Sequence, residues 1–297
     1  MKPPLFDYLD PVTVDETVAI LAEHGDDAKV LAGGQSLMPM LSMRLAYPDR
    51  LVDLNGIAEL AGIHEEDGGL RIGALTRHST AEASGLVGRA CPLIAKGMPW
   101  IGHRAIRNRG TLGGSLAHAD PAAELPAIMT ALDATVIAAR AGGEREIPLG
   151  ELFEMPLVSA LAPDELLTEI RVPAQPATEG SAVVELARRQ GDFAVAGIAA
   201  TLTLAADGAI DRARLVAFAV APVPVRLVAA EAILAGADPG GDSVEEAALA
   251  AAGEVSPTSD LHGTAEYRRA LTAELVKRAV AQAVADARTR NDPREGA

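Results

Sequence analysis

Two glycine pairs about eighty residues apart hold the residue types through which this chain could do chemistry. The first lies in Ala32-Gly33-Gly34-Gln35-Ser36-Leu37, directly after the apolar run Lys29-Val30-Leu31. The second lies in Thr111-Leu112-Gly113-Gly114-Ser115, directly after the basic stretch Arg104-Ala105-Ile106-Arg107-Asn108-Arg109. Backbone without Cβ turns tightly and lets a ligand come close to its N–H groups. Successive N–H groups curled together form an anion-binding concavity, and two such loops on one fold could hold both phosphates of a dinucleotide. A glycine pair is also the ordinary mark of a tight strand exit. Gly68-Gly69, Gly142-Gly143 and Gly240-Gly241 read as plain turns. On the residues alone, the ligand reading and the turn reading of Gly33-Gly34 stand level.

The rest of the chemistry search is mostly negative. There is no Gly-x-Gly-x-x-Gly, no Walker loop, no His-Glu-x-x-His, no Cys-x-x-Cys and no Gly-x-Ser-x-Gly. The six histidines show no metal-ligand spacing. His118 and Asp120, in Ser115-Leu116-Ala117-His118-Ala119-Asp120-Pro121, come nearest to an acid–base pair. Hydrogen bonding to the local backbone is the better reading for them. The single cysteine, Cys91, precludes an intrachain disulfide and an iron–sulfur cluster held by this chain alone. It reads as a packing residue, since free cysteine is usually buried and inert.

The elements that must position the glycine loops alternate between helix and strand. Thr13 and Glu16 have the spacing of a capping box, followed by a helical face of Val14, Val18 and Leu21 that stops at Gly25. Strands are expected over 29–32, 51–54 and 70–74, with a turn at Asp67-Gly68-Gly69, and Pro39 allows only a short helix or turn over 37–41. Helices are expected over 76–83 and 92–97, and a hairpin around Gly142-Gly143. Pro173-Ala174-Gln175-Pro176-Ala177-Thr178 reads as a linker, dividing the chain at 1–176 and 177–297. Strands over 199–204 and 214–220 follow, then helices over 226–234, 244–252 and 265–287. The last helix carries Leu271, Leu275, Val276, Val280 and Val284 on one side. The tail from Asn291 reads as disordered.

Composition fixes the class. The 297 residues suit about two domains of roughly 150 residues, and 49% apolar residues suffice for real cores. A net charge of −15 argues against nucleic acid or an anionic membrane as a partner. No stretch approaches the ~20 apolar residues of a transmembrane helix. The N-terminal residues lack the apolar core of a signal peptide, so the expectation is a cytoplasmic protein.

Leu31-Ala32-Gly33-Gly34-Gln35-Ser36-Leu37-Met38-Pro39 and the longer run from Arg107 through Gly113-Gly114-Ser115 to Asp120-Pro121 resemble one family in particular. It is the FAD-binding medium subunit of the molybdenum hydroxylases, the xanthine dehydrogenase and aerobic carbon monoxide dehydrogenase family. Leu51-Val52-Asp53-Leu54-Asn55, Ile72-Gly73-Ala74-Leu75-Thr76, Leu161-Ala162-Pro163-Asp164-Glu165-Leu166-Leu167, Arg188-Arg189-Gln190-Gly191-Asp192-Phe193-Ala194 and Tyr267-Arg268-Arg269 fall in the same order, so the resemblance spans nearly the whole chain. It implies an α+β architecture: a two-part FAD-binding domain of the vanillyl-alcohol-oxidase-like (PCMH) type, then a small α+β C-terminal flavoprotein domain.

The resemblance also implies roles. Ala32, Gly33, Gly34, Gln35, Ser36 and Leu37 match the segment that holds the FAD pyrophosphate. Thr111, Gly113, Gly114 and Ser115 match a second phosphate-holding loop. Ile101 and Leu167 match positions against the cofactor, where plain core packing is an equal alternative. Glu124 stands where the family often has Asp, as a polar contact to the cofactor. No catalytic side chain and no metal ligand is implied in this chain. Two departures stand out: many relatives carry Lys near Glu185 and Tyr at Phe193. Glu185 reverses the charge, which would disfavour an anionic reduced flavin lying close to it. Phe193 can shield a ring face but donates no hydrogen bond.

The implied activity is electron transfer within an oxidoreductase complex. A molybdenum cofactor on a large partner subunit would hydroxylate substrate, and [2Fe-2S] clusters on a small partner would relay electrons to FAD here for an external acceptor. The implied assembly is a dimer of heterotrimers. Two other classes remain open: a stand-alone FAD-dependent oxidase or dehydrogenase of the same fold, and a non-enzymatic assembly subunit.

Overall fold

In the computed structural model, residues 2–66 and 68–291 are described. Asp67 of the expected turn, and the tail beyond Asn291, lie outside them. The chain builds three sheets that matter for the site. A parallel three-stranded sheet orders Asp7–Leu9, Arg50–Asp53 and Ala28–Leu31 with Arg50–Asp53 in the middle. The helix Val14–His24 packs beside it. Thr13 Oγ1 accepts from Glu16 N–H at 3.1 Å, and Glu16 Oε2 reaches back to Val12 N–H at 2.8 Å, so the expected cap forms. Gly25 then stops the helix at φ +49°, where a side chain would be strained.

An antiparallel five-stranded sheet follows, in the order Ile63–Glu66, Gly69–Gly73, Leu166–Pro173, Thr135–Arg140, Gly143–Pro148. The hairpin at Gly142-Gly143 is there, with φ of +91° and +159° at its two glycines. Ile63–Glu66 and Leu166–Pro173 are strands that sequence reading did not assign. Ile63–Glu66 is polar and exposed along most of its length, and Leu166–Pro173 has no clean alternation because it is the central strand. The second glycine motif differs more. Leu112–His118 is a helix where a loop was expected, with Thr111 as its N-cap.

The third sheet runs antiparallel in sequence order: Gly180–Ala187, Ala194–Leu204, Ile210–Phe218 and Val225–Arg226. One face is covered by the helices Val228–Leu234, Ser243–Glu254 and Ala265–Arg290. Leu275, Val276, Val280 and Val284 are buried there as their spacing requires, with Leu271 partly buried at the rim. The other face is not free. Val183, Ala199, Val216 and Phe218 share one core with Leu125, Ile128 and Met129 of the helix Glu124–Ala131. The crossing segment between the two larger sheets is also tied down. Gln175 Oε1 accepts from Leu93 N–H at 2.8 Å, its Nε2 donates to Glu179, and both residues are buried.

Cys91 is buried and its thiol is pushed up to about 12, mainly by burial, so it is an inert packing residue as expected. Among the described residues no helix is long and apolar enough to cross a membrane, and no cluster of His, Cys, Asp and Glu could hold a metal ion.

Arg268, in the Tyr267-Arg268-Arg269 motif, is nearly buried and fastens the long helix. It donates to Val195 O at 2.7 Å, to Ala219 O at 3.0 Å, and to both Asp260 oxygens. Arg268→Met removes these bonds and strands two carbonyls. It is expected to cost about 2–4 kcal/mol, read as a lowered urea midpoint with unchanged slope.

Candidate functional site

The two glycine motifs meet in space. An added Cβ at Gly33 would lie 2.3 Å from Arg109 O and 2.8 Å from Gly110 Cα, so the two backbones touch there. Gly113 is packed as tightly on Ala74, at 2.5 Å from its Cβ. Two further residues tie the loops from behind. Asn55 Nδ2 donates to Ala32 O at 2.9 Å, Arg77 donates to Asn55 Oδ1, and Arg77 also donates to Arg109 O. Sequence reading assigned no role to Asn55 or Arg77. The Asp53-x-Asn55 spacing after the strand was the available signal for Asn55, and nothing local marks Arg77.

Beside this junction opens a cleft of about 710 Å³, within the range of small-molecule sites. Every residue proposed from sequence lines it: Ala32, Gly33, Gly34, Gln35, Ser36, Leu37, Ile101, Thr111, Gly113, Gly114, Ser115, Glu124 and Leu167. Phe193 lines it too, at 64% exposure, whereas Ile101 and Leu167 are almost wholly buried.

The two loops offer different chemistry. None of the N–H groups of Gly33, Gly34, Gln35, Ser36 and Leu37 has an acceptor among the described residues. Gly34 adopts φ +72°, which curls this run back on itself. Buried or half-buried backbone N–H groups are almost always paired, so such a run in a cleft wall awaits an external acceptor. In the second motif the same groups are already satisfied. Leu112 N–H donates to Thr76 O, Gly113 N–H to Ala74 O, Ser115 N–H to Thr111 O and Gly114 N–H to Thr111 Oγ1. The expectation of two free N–H concavities therefore holds for the first loop only. The second loop is consumed in starting a helix; Gly114 and Ser115 line the cleft, and the Ser115 hydroxyl has no partner among the described residues.

Other polar groups in the wall are held neutral or tied down. His78 is buried and its Nε2 lies 2.9 Å from Thr111 O. Burial lowers it to about 4, so it is a neutral ring that braces the second loop. Asp120 Oδ1 accepts from Ala122 N–H at 2.9 Å, the local turn bond expected of it, and burial lowers the His118 pKa. Glu124 is buried and is pushed up to about 7, chiefly by desolvation, with Asp120 adding to it.

Comparison with known proteins decides what the cleft belongs to. Residues 4–175 match the family described as the FAD binding domain in molybdopterin dehydrogenase, and residues 181–283 match the CO dehydrogenase flavoprotein C-terminal domain. The chain belongs to the FAD-binding medium subunits of the molybdenum hydroxylases. It is 43% identical to the 6-hydroxypseudooxynicotine dehydrogenase complex subunit alpha of Paenarthrobacter nicotinovorans, over 97% of each chain. It is 41% identical to the caffeine dehydrogenase subunit beta of Pseudomonas sp. strain CBB1, over 95% of this chain and 96% of the relative. Among solved structures it superposes on the carbon monoxide dehydrogenase of Hydrogenophaga pseudoflava, in a form lacking the Mo-pyranopterin moiety of the molybdenum cofactor. That superposition has a TM-score of 0.94 and 40% identity, covering 96% of this chain and 99% of that one. The fold is thus the expected FAD-binding domain followed by a flavoprotein C-terminal domain, in an oxidoreductase subunit. The cleft fits FAD on its own geometry, since the unpaired N–H run suits a pyrophosphate and the apolar wall suits a flat ring.

Two substitutions separate the roles of the first pair. Gly34→Val forces a β-branched residue to φ +72°, a strain of ~1–3 kcal/mol, and uncurls the N–H run. FAD binding is expected to fall at least tenfold, by flavin fluorescence titration, with the far-UV spectrum retained. Gly33→Ala drives a methyl into the Arg109 carbonyl, so it is expected to lower thermal stability and FAD binding together.

Proposed function

We propose that this chain is the electron outlet of a molybdenum hydroxylase complex. In this reading it takes electrons that reach its FAD from [2Fe-2S] clusters on a small partner subunit and delivers them to an external acceptor. FAD, when bound, supplies the redox chemistry. The chain's own residues hold and shield it. The N–H groups of Gly33 to Leu37 donate to the pyrophosphate oxygens, with the Ser36 and Ser115 hydroxyls beside them. Ile101 and Leu167 give an apolar bed, Phe193 covers from the open side, and Glu124 is a polar contact in the wall. The observation that carries this reading is the unpaired N–H run of Gly33 to Leu37, set in the same cleft as the second glycine motif.

Substrate hydroxylation belongs, on this proposal, to a molybdenum cofactor on a large partner. Of the acid–base pair suggested by sequence, Asp120 is spent on a local turn bond and burial lowers the His118 pKa, which disfavours a stand-alone oxidase. The superposition on a carbon monoxide dehydrogenase supports a multi-subunit setting. We further propose a cytoplasmic dimer of heterotrimers, with the chain divided functionally at 1–176 and 177–297.

The isolated chain is expected to bind FAD with quenching of flavin fluorescence and to turn over no substrate of the complex. Purified from its native source, it is expected to bring down a molybdenum-containing large subunit and an iron–sulfur small subunit. A folded chain that takes up no FAD overturns the reading, and substrate turnover by the lone chain replaces it with the stand-alone enzyme.

A further inference from the structure

The strand Gly180–Ala187 divides its side chains between two cores. Ala182 and Val184 lie under the long C-terminal helix, and Val183 lies in the core shared with the N-terminal region. Alternation places Glu185 on the same face as Val183. That face is apolar around it. Its cross-strand neighbour is Gly197, and the ring of the fully buried Phe218 lies so close over this glycine that an added Cβ would sit 2.1 Å away. Both Glu185 carboxyl oxygens are buried and neither has a hydrogen-bond partner. An unpaired carboxylate in such a place is costly enough that the group keeps its proton instead. Its neighbour is Glu124, which is also buried and lines the cleft.

No cation answers the two carboxyls among the described residues packed around them. Lys96 of the helix Pro92–Gly97 is paired with Asp286, and Arg268 and Arg290 of the long helix with Asp260 and Asp286. Arg212 and Arg214 of the strand Ile210–Phe218 are paired with Glu179 and Asp133, and Arg226 with Glu231. In the loop before Glu124, Asp120 adds negative charge. Burial lowers the His118 pKa, and Glu151 is exposed.

We propose that Glu124, in the wall of the FAD cleft, and Glu185, buried behind it, form a proton-holding pair that keeps at least one proton at neutral pH and, on losing it, sets negative charge near the bound cofactor. The proposal rests on the reading of the cleft as the FAD site. It revises the expectation from the charge reversal at 185, because a protonated Glu185 exerts no negative field. Burial and the neighbouring Glu124 push Glu185 up to about 8, and burial pushes Glu124 up to about 7. Both folded values lie above the ordinary carboxyl range. The pair's contribution to stability is therefore present below about pH 4.5 and is lost as pH rises through about 7 and about 8.

Two measurements test this. An infrared titration of the cofactor-free chain is expected to show a neutral carboxylic acid stretch at pH 7 that disappears above about pH 8, with the upper step missing in Glu185→Gln. Fluorescence titration with FAD is expected to show Kd rising about tenfold between about pH 6 and pH 9 in the natural chain, and far less in Glu185→Gln and Glu124→Gln. The infrared titration of the natural chain decides the matter even if a variant fails to fold. Absence of a neutral carboxyl above about pH 6, or a Kd profile unchanged by Glu185→Gln, overturns the proposal. If the infrared step appears but FAD is not bound at any pH, the reading of the cleft fails, and the coupling with it.

Discussion

The site depends on one steric fact: the backbone at Gly33 lies against the backbone at Arg109 and Gly110 with no room for even a methyl group. That contact brings the exit of a strand in the parallel sheet against the entry to a helix packed on the five-stranded sheet. Everything that lines the cleft is arranged around this junction. Asn55 and Arg77 hold it from behind by donating to the carbonyls of Ala32 and Arg109, with Asn55 Oδ1 accepting from Arg77. The neutral His78 ring braces its far side against Thr111.

Two motifs that look alike in sequence thus do unlike things. Hydrogen-bond accounting separates them. The first loop has a run of donors with nowhere to go inside the protein, while the second has spent its donors on Ala74, Thr76 and its own Thr111 cap. The glycines of the second motif are there mainly because Ala74 and Thr111 Oγ1 stand where side chains would be. A glycine pair therefore marks a close approach, and only the fate of its N–H groups says whether the approaching atom is a ligand or the protein itself.

Much of this was readable from the residues. The capping box at Thr13 and Glu16, the hairpin at Gly142-Gly143 and the apolar stripe of the last helix are local signals, and each forms as read. The candidate residues from Ala32 to Leu167 all reach one cleft, because the motif residues carried the family's order with them. What escaped reading is set by distant parts of the chain. The strand Leu166–Pro173 owes its place to partners on both sides, Arg77 acts through a carbonyl 32 residues away, and the buried surroundings of Glu185 come from Phe218 on another strand. Burial of a charged type inside an otherwise ordinary strand leaves no local mark.

The cleft draws its lining from positions as far apart as Leu21 and Phe193. Contacts of such long sequence separation form late, after much chain entropy has been spent. A growing polypeptide must therefore leave the ribosome past Phe193 before the cleft is complete. Capture of the cofactor then doubles as an inspection step: only a molecule whose two halves have closed on their common core acquires colour, and the bound cofactor in turn holds that closed state against reopening.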